Sequence, residues 1–485
     1  MSITASLSNA LTGLAAASRS AQVVSSNVSN ALTEGYARRQ VELSPRYIDG
    51  AGAGVQIDGI TRIVDETLLR ERRLAAASNG SATIVNEFNT TVLTLVGSPE
   101  EAGSLTTQVA NFEAALLEAA SRPDSEARLT NVLATAQSLS GKVNDISDGV
   151  QTLREDADTR IDLEVKRLNS SLEQISELNA QILRAKSNGR DFPALLDQRQ
   201  TLIDKISELV PIRQIPRENE TVALYTLTGA LLLDIEPAEF GFVPSAPITP
   251  DQTLASGALS GLTINGNAIQ TSGPGSAIAG GVLDGLFKLR DDFSVAVQDN
   301  LDEVARDLVV RFEDPLLDPT SAAGDPGLFT DRGSAFDVAD ATGLAGRLEI
   351  NALADPSQGG AVHRLRDGLG ANVVGPVGDA TLLNAKIDVL QELRAPIGGT
   401  FSGASKTLSG FAATLASIVG QSVQDSGTRL SFETARFEGL EEQFLANGVD
   451  SDQELQNLLL IEQAYAANAR VIQTVDELVQ ILIRL

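Results

Sequence analysis

The sequence predicts an α+β multidomain protein, in which paired terminal coiled-coil helices join an elongated helical-bundle body with inserted β-rich domains. Three observations predict this fold class. Apolar residues recur with heptad spacing at both ends of the chain, and a further heptad run crosses the segment between residues 136 and 175. Residues 211–403 hold 24 of the 41 glycines and 13 of the 17 prolines. Because these residues interrupt helices, the sheet-rich parts are expected there.

Composition limits the chemistry that the chain can perform. The absence of cysteine excludes disulfides and thiolate sites, and a single histidine, His363, excludes two-histidine zinc motifs. We expect His363 to be a surface or loop residue. Acidic residues outnumber basic ones 64 to 37, with no basic block, which argues against nucleic acid and membrane partners. We therefore predict no catalytic residues, no cofactor and no metal, and we expect no membrane insertion and no cleaved signal peptide.

The amino-terminal element is predicted to be a helix with an alanine-rich stripe. Residues 1–33 contain one charged side chain, Arg19, so this helix is expected to meet neighbours on nearly every side. Its many serines and asparagines are weak helix formers, so the segment is expected to be flexible in the monomer; a flexible polar tail is the alternative. The stripe consists of Ile3, Leu7, Ala10, Leu14, Ala17, Ala21, Val24 and Val28.

A matching stripe at the carboxyl end is predicted to pair with the first. Residues 1–48 carry a net charge of +2 and residues 449–485 a net charge of −4, which favours pairing of the two ends. Asn468 lies in the stripe, where a polar residue can specify the register of a coiled coil. The stripe consists of Leu458, Ile461, Tyr465, Asn468, Ile472, Val475, Val479 and Leu482.

Between these ends we predict a helical rod domain with two insertions. The helix that carries the heptad run is expected to begin near Asp124; if it continues unbroken to the stop at Asn188 and Gly189, it has about 64 residues and is roughly 95 Å long. A capping box at Ser98 predicts a helix start there, and Pro193 predicts another. The predicted domains are 1–60 with 450–485 (terminal coiled coil), 61–210 with 281–313 and 404–449 (helical rod), 211–280 (a small β-rich segment), and 314–403 (a β-rich outer domain).

Several motifs resemble those of bacterial flagellar axial proteins. The amino-terminal motifs are LTGL at 11–14, SNVSN at 26–30 and GYARRQ at 35–40, and the carboxyl-terminal motif is QAYAANARVIQT at 463–474. The interior segments LLDQR at 195–199, ISELV at 206–210 and GGVLDGL at 280–286 are similar to those of hook-associated proteins. The resemblance adds Asn27, Asn30, Gly35 and Tyr36 to the candidate assembly residues.

The resemblance implies a structural protein outside the cell. Copies would assemble with one another into a ring, with hook protein on one side and a second junction protein and the filament on the other. The paired terminal helices would line the inner tube. Export would use a flagellar chaperone and the type III export apparatus, without a cleaved signal peptide.

Two alternatives remain open at this point. The chain could be another axial protein of the hook or rod, since these share the terminal motifs. An enzyme or adhesin in residues 314–403 is the alternative of a different class. The segment from Gly398 to Thr407 ends like a phosphate-binding loop, but Thr400 and Ser405 stand where that motif needs glycine, so we expect a linker.

Overall fold

The computed structural model describes residues 3–48, 51–273, 275–401, 403 and 405–484. The predicted fold class is confirmed, because long helices form the body and the two ends, and the sheets are small. The helices are α1 (Ile3–Ser29), α2 (Glu66–Val96), α3 (Leu105–Ser121), α4 (Glu126–Ser187), α5 (Pro193–Leu209), α6 (Val282–Lys288), α7 (Ser294–Phe312), α8 (Arg364–Asp367), α9 (Thr381–Gln391), α10 (Leu408–Ala446) and α11 (Ser451–Arg484).

The strands form four small antiparallel sheets. Strands β1 and β2 make a hairpin, β3-β4-β5 and β6-β7-β8 make two three-stranded sheets, and β9 pairs with β10. Their bounds are β1 (Arg39–Ile48), β2 (Ala51–Arg62), β3 (Ile212–Pro216), β4 (Val222–Thr226), β5 (Leu231–Leu233), β6 (Phe240–Gly241), β7 (Thr263–Ile264), β8 (Asn267–Ala268), β9 (Phe329–Asp331) and β10 (Leu348–Ile350).

Helix α4 is the spine of the body. It has 62 residues and so extends for roughly 93 Å, close to the predicted length. Two cations in its last turn, Arg184 and Lys186, favour the negative end of the helix dipole. Most of its predicted heptad positions are buried in one continuous core with α2, α3, α5, α7 and α10, and Leu153 is partly buried against that core. The apolar spacing therefore identified the packed face of this helix.

The helix predicted from Ser98 begins later than expected. The segment 98–103 forms turns, and α3 starts at Leu105 with Ser104 as its N-cap, whose hydroxyl accepts a hydrogen bond from the Thr107 amide. Half of the capping box does form, because a Glu101 carboxylate oxygen accepts from the Ser98 amide at 3.3 Å. The predicted N-cap, Ser98, lies six residues before the observed one, because Ser104 offers a second capping hydroxyl.

The insertion at 211–280 is held along α4 by buried polar side chains. Asn169 exchanges two hydrogen bonds of 2.8 Å with the backbone of Phe240, and Asn179 exchanges two of 3.0 and 3.3 Å with the backbone of Val222. Further along α4, the guanidinium of Arg154 donates to the carbonyls of Thr249 and Gln252. These side chains form hydrogen bonds with backbone N–H and C=O groups of strand edges and turns, which would otherwise be buried without partners.

Residues 314–403 contain less sheet than the sequence predicted. Two three-residue strands, β9 and β10, are the only strands that the structure describes in this range, and the rest is turns and short helices. The segment packs on the body: the Asp302 carboxylate of α7 accepts from the amides of Gly343 and Ala345, and Ser140 of α4 donates to the Leu348 carbonyl at 2.7 Å. The apolar runs are too short and too often broken by glycine to extend the ladder.

We expect the substitution Lys386→Met to stabilise the protein at pH 7. Lys386 of α9 is 2% exposed and donates to the Leu365 carbonyl at 2.8 Å. Burial, only partly offset by Asp318, lowers the pKa of Lys386 from 10.5 to about 8. The folded state thus favours the neutral amine, and the stability present above pH 10.5 falls by about 3 kcal/mol as the pH drops through 8.

The methionine variant avoids that penalty and loses one hydrogen bond worth about 1 kcal/mol. Urea unfolding should therefore give it an advantage of about 2 kcal/mol at pH 7, and that advantage should shrink at pH 9.5. A variant that is less stable than the parent chain at pH 7 would refute this explanation of the buried amine.

Candidate assembly site

The two ends of the chain pack as an antiparallel helix pair. Gly13 of α1 lies opposite Asn468 of α11, and Asn27 lies opposite Glu454, so the register runs in opposite directions along the two helices. A Cβ atom added to Gly13 would lie 2.8 Å from the Asn468 side chain. The helices therefore approach closely at the predicted seam asparagine, whose own amide donates to the Ala464 carbonyl.

Small residues of α1 form its side of the seam. Ala10, Ala17 and Val24 are buried on the side of α1 that faces α11, and Ala16 and Val23 are buried on the adjoining side, toward the hairpin. Because the side chains that face α11 are short, the backbones of α1 and α11 can lie close together and exclude water along a narrow line. The seam is therefore tight, but each residue buries little apolar area.

Helix α11 leaves a second apolar face uncovered. Among the apolar residues of α11 whose side chains the structure describes, Val475 is the one that is buried, at 6% exposure. With 100° per residue, six exposed apolar residues lie outside the seam, from the side opposite it round to the flank beside Val475. We call this set the outer face of α11: Leu455, Leu459, Leu460, Val471, Leu478 and Ile481.

The predicted assembly residues differ in how deeply they are buried. The buried ones are Ala10, Ala17, Val24, Asn27 and Val475. The partly buried ones are Ile3, Leu7, Leu14, Ala21, Val28, Asn30, Gly35, Tyr36, Leu458, Ile461, Asn468 and Ile472. Tyr465 and Val479 are exposed, and the side chain of Leu482 lies outside the described part of the structure.

Asn27 is fully hydrogen-bonded where the helix pair meets strand β1 and the loop after α1. Its amide nitrogen donates to the Glu454 carboxylate at 3.1 Å and to the Arg39 carbonyl at 2.9 Å. Its amide oxygen accepts from the Tyr36 hydroxyl at 2.9 Å and from the Arg39 amide at 3.0 Å. One buried side chain thus links α1, the loop after it, β1 and α11.

An ion pair between the two ends completes this contact. Arg38 donates to the second oxygen of Glu454 at 2.7 Å, and the Glu454 side chain is 2% exposed. A buried carboxylate is stable only where donors compensate for its lost hydration, and here Arg38 and Asn27 supply them. This ion pair between Arg38 and Glu454 is a direct contact of the kind predicted between the basic first segment and the acidic last segment.

Asp197 of the LLDQR segment ties the hairpin to α5. Its carboxylate accepts from Arg39 at 2.6 Å, from Arg62 at 2.7 Å and from the Ala37 amide at 3.3 Å. Arg39 and Arg62 are partners at the base of the hairpin, one on each strand. The interior motif and the amino-terminal GYARRQ motif therefore form one polar hub.

Gly35 permits the close approach of this loop to α5. Its φ of +76° lies in the left-handed region, and an added Cβ would lie 2.3 Å from the Thr201 hydroxyl oxygen. Tyr36, the next residue, donates to Asn27 and stacks beneath the Arg39 guanidinium at 4.6 Å. Gly35 and Tyr36 thus shape the turn that connects α1 to the hairpin.

Sequence reasoning missed the hairpin and several members of the hub. Glu454, Arg38, Arg39, Arg62 and Asp197 were not predicted as site residues, although Arg38, Arg39 and Asp197 lie in quoted motifs. Strand alternation is interrupted by Pro45 and by register shifts, so no clean period marks the hairpin. A search for arginine and carboxylate pairs between motifs would have been the available signal.

Two kinds of binding chemistry bear on the described residues, metal binding and phosphate binding. They contain no group of three or more histidine, aspartate and glutamate side chains able to hold a metal. In the phosphate-loop lookalike, the Ile397 and Gly398 amides already donate to the Glu303 carboxylate, and the Thr400 amide donates to Asn300. Those groups are engaged inside the protein. No helix among the described residues is long and apolar enough to span a membrane.

Comparison with protein families matches two stretches of the chain. Residues 47–327, more than half of the chain, match the family described as flagellar hook-associated protein FlgK helical domain. Residues 443–485 match the family described as flagellar basal body rod FlgEFG protein C-terminal. The second stretch contains α11, so the carboxyl-terminal half of the seam is the part similar to rod proteins.

Individual relatives agree with the family match. Flagellar hook-associated protein 1 of Bacillus subtilis is 24% identical, with 97% of this chain and 96% of the relative aligned. The Escherichia coli protein of that name is 24% identical over 66% of this chain and 58% of its own length. A structure of the flagellar hook junction protein FlgK from Burkholderia pseudomallei has a TM-score of 0.43, with 20% identity over 54% of this chain and 46% of that chain. The family match over residues 47–327 means that this chain belongs to the flagellar hook-associated protein FlgK family.

Proposed function

We propose that this chain is a structural component of the bacterial flagellum that forms the junction between hook and filament by self-assembly through its terminal helices. The outer face of α11 carries this proposal. Six apolar side chains are exposed on α11 outside the seam that packs on α1. Exposed apolar side chains in such number on one helix are typical of a protein interface. The family and the names of the relatives indicate the flagellar assembly to which the interface belongs.

We further propose that two sets of assembly residues make different contacts. Seam residues such as Ala17, Val24 and Ile472 hold α1 against α11, while the outer face of α11 meets neighbouring copies. Because Val475 alone is buried among the described apolar side chains of α11, the pair is expected to be flexible in the monomer and ordered by assembly. The predicted domain division, with residues 1–60 and 450–485 as one assembly unit, is part of this proposal.

The proposed partners follow from the same role. Copies of this chain would contact one another in a ring, with hook protein on one side and a second junction protein and the filament on the other. The proposed location is the extracellular flagellum. Export would follow the flagellar type III pathway with a dedicated chaperone and without a cleaved signal peptide, as the resemblance implies.

Deletion of the gene tests the proposed function. A strain without this chain should build complete hooks but release flagellin into the medium unpolymerised, because the adaptor for the filament is missing. Electron microscopy of the cells and immunoblotting of the medium measure these outcomes. Filaments that remain attached in the deletion strain would refute the proposal.

The same experiment addresses the second candidate, a hook or rod component. The match of residues 443–485 to a rod protein family supports that alternative, because a rod protein would carry the same terminal helix. Loss of a rod or hook component would leave no complete hook. Complementation with the parent gene must restore attached filaments, which ties either result to this chain.

A further inference from the structure

A solvent-open pocket of about 430 Å³ lies between the hairpin base, the start of α2, α5 and the turn after β3. Its lining includes five cationic side chains and two carboxylates, in a protein whose net charge is −27. The carboxylates are Glu66 and Glu220. The cations are Arg62, Arg73, Lys186, Arg199 and Arg217.

Arg199 has no carboxylate partner among the described residues. Its side chain is 6% exposed, and one guanidinium nitrogen donates to the Asn179 side chain at 2.8 Å and to the Glu220 carbonyl at 2.6 Å. Its Nε and Nη2 groups make no hydrogen bond to any part of the chain that the structure describes. The Glu220 carboxylate is instead 3.3 Å from Lys186.

Arg73 adds a second incompletely satisfied guanidinium to the pocket lining. It is 6% exposed and donates to Asp204 at 2.6 Å and to Gln214 at 2.9 Å, but its Nη2 group is buried without a partner. Orphaned donors of this kind are uncommon in protein interiors and call for an explanation.

Among the five cations of the pocket lining, Arg199 is the one without an ion pair to a carboxylate in the described residues. The other four pairs are Arg62 with Asp197, Arg73 with Asp204, Lys186 with Glu220 and Arg217 with Asp234. Burial, reinforced by the charge of Arg62, lowers the pKa of Arg199 to about 10. A bound anion would satisfy the free N–H groups and offset the unpaired charge of Arg199.

We propose that this pocket binds a carboxylate group through Arg199, with Arg73 and Arg62 beside it. The planar fork of arginine suits two parallel hydrogen bonds to one carboxylate. Phe192 and Leu196 give the pocket an apolar wall, against which the carbon chain attached to the carboxylate can pack. The carboxylate can come from an acidic side chain of a neighbouring copy or from a small polycarboxylate in solution. Binding to the free chain does not depend on the proposed junction role.

Titration of the purified chain with citrate tests the pocket. Isothermal calorimetry should give a dissociation constant in the millimolar range, and citrate should raise the melting temperature more than sodium chloride at equal ionic strength. The variant Arg199→Gln should weaken binding at least tenfold. Arg184→Gln, which removes an exposed arginine outside the pocket, should bind citrate like the parent chain.

A second variant keeps the proposal testable if Arg199→Gln does not fold. Arg73→Gln should also weaken citrate binding, and circular dichroism must show parent-like helix content in each variant that is scored. Citrate binding no stronger than the ionic-strength control overturns the proposal. Unchanged binding in both folded arginine variants overturns it as well.

A photo-cross-linking residue at Leu196 in isolated flagella distinguishes the two sources. Cross-links between copies that citrate suppresses indicate an acidic side chain of a neighbour. Citrate binding to the free chain without such cross-links indicates a small carboxylate, and both results support the carboxylate site. Failure of the junction role would leave the citrate titration intact, so the two proposals fail separately.

Discussion

Replacing Leu459 and Leu478 by aspartate should abolish filament attachment while leaving the free chain folded. These side chains are 59% and 45% exposed on the outer face of α11, so the substitutions should change the free energy of unfolding by no more than about 0.5 kcal/mol each. In an assembled array the same positions would be covered. Burying two unpaired carboxylates there would cost several kcal/mol at every interface.

The measurement combines urea unfolding of the purified variant with microscopy of complemented deletion cells. Leu163→Asp is the matched control, because Leu163 is 59% exposed on α4, far along the chain from the terminal helices. The control should support normal filaments. Normal motility in the double aspartate variant would exclude the outer face of α11 from assembly.

Replacing Asn27 by alanine should loosen the junction between α1, α11 and strand β1. The change removes four hydrogen bonds and leaves the backbone N–H and C=O of Arg39 without those partners. It also takes one donor from the buried Glu454 carboxylate. At about 1–3 kcal/mol for each group left unsatisfied, docking should weaken by about 3 kcal/mol or more.

Hydrogen exchange can locate this effect along the chain. Amides of β1 and of the last turns of α1 should exchange at least tenfold faster in the variant, whereas those of α4 should be unchanged. Asn30→Ala is the control from the same motif, since Asn30 donates within its own helix to the Ser26 carbonyl. Equal exchange in the two variants would show that Asn27 does not hold the pair in place.

Local periodicity allowed much of the helical fold to be predicted. Leu139, Val143 and Ile146 of α4 repeat with helical spacing and are all fully buried, because one face of this helix packs against the body along its whole length. The stripe of α11 was harder to interpret. Its apolar residues lie on two sides, and spacing tells which residues share a face but not which face is covered within one chain.

The polar hub could not be derived from spacing at all. Asn27 and Glu454 are 427 positions apart, and Arg39 and Asp197 are 158 apart, so no local pattern links them. Their contacts depend on how α1, the hairpin and α5 come together in three dimensions. The resemblance drew attention to the motifs, but the physical role of each residue required the structure.

Protection of a single cysteine on α11 tests self-assembly through the terminal helices most directly. Because the chain has no cysteine, Leu478→Cys introduces a unique thiol that a maleimide can label. Labelling should be fast in the free chain and at least tenfold slower in isolated flagella, whereas Leu163→Cys on α4 should label at similar rates in both. Equal labelling of Leu478→Cys in free chain and flagella would contradict the account.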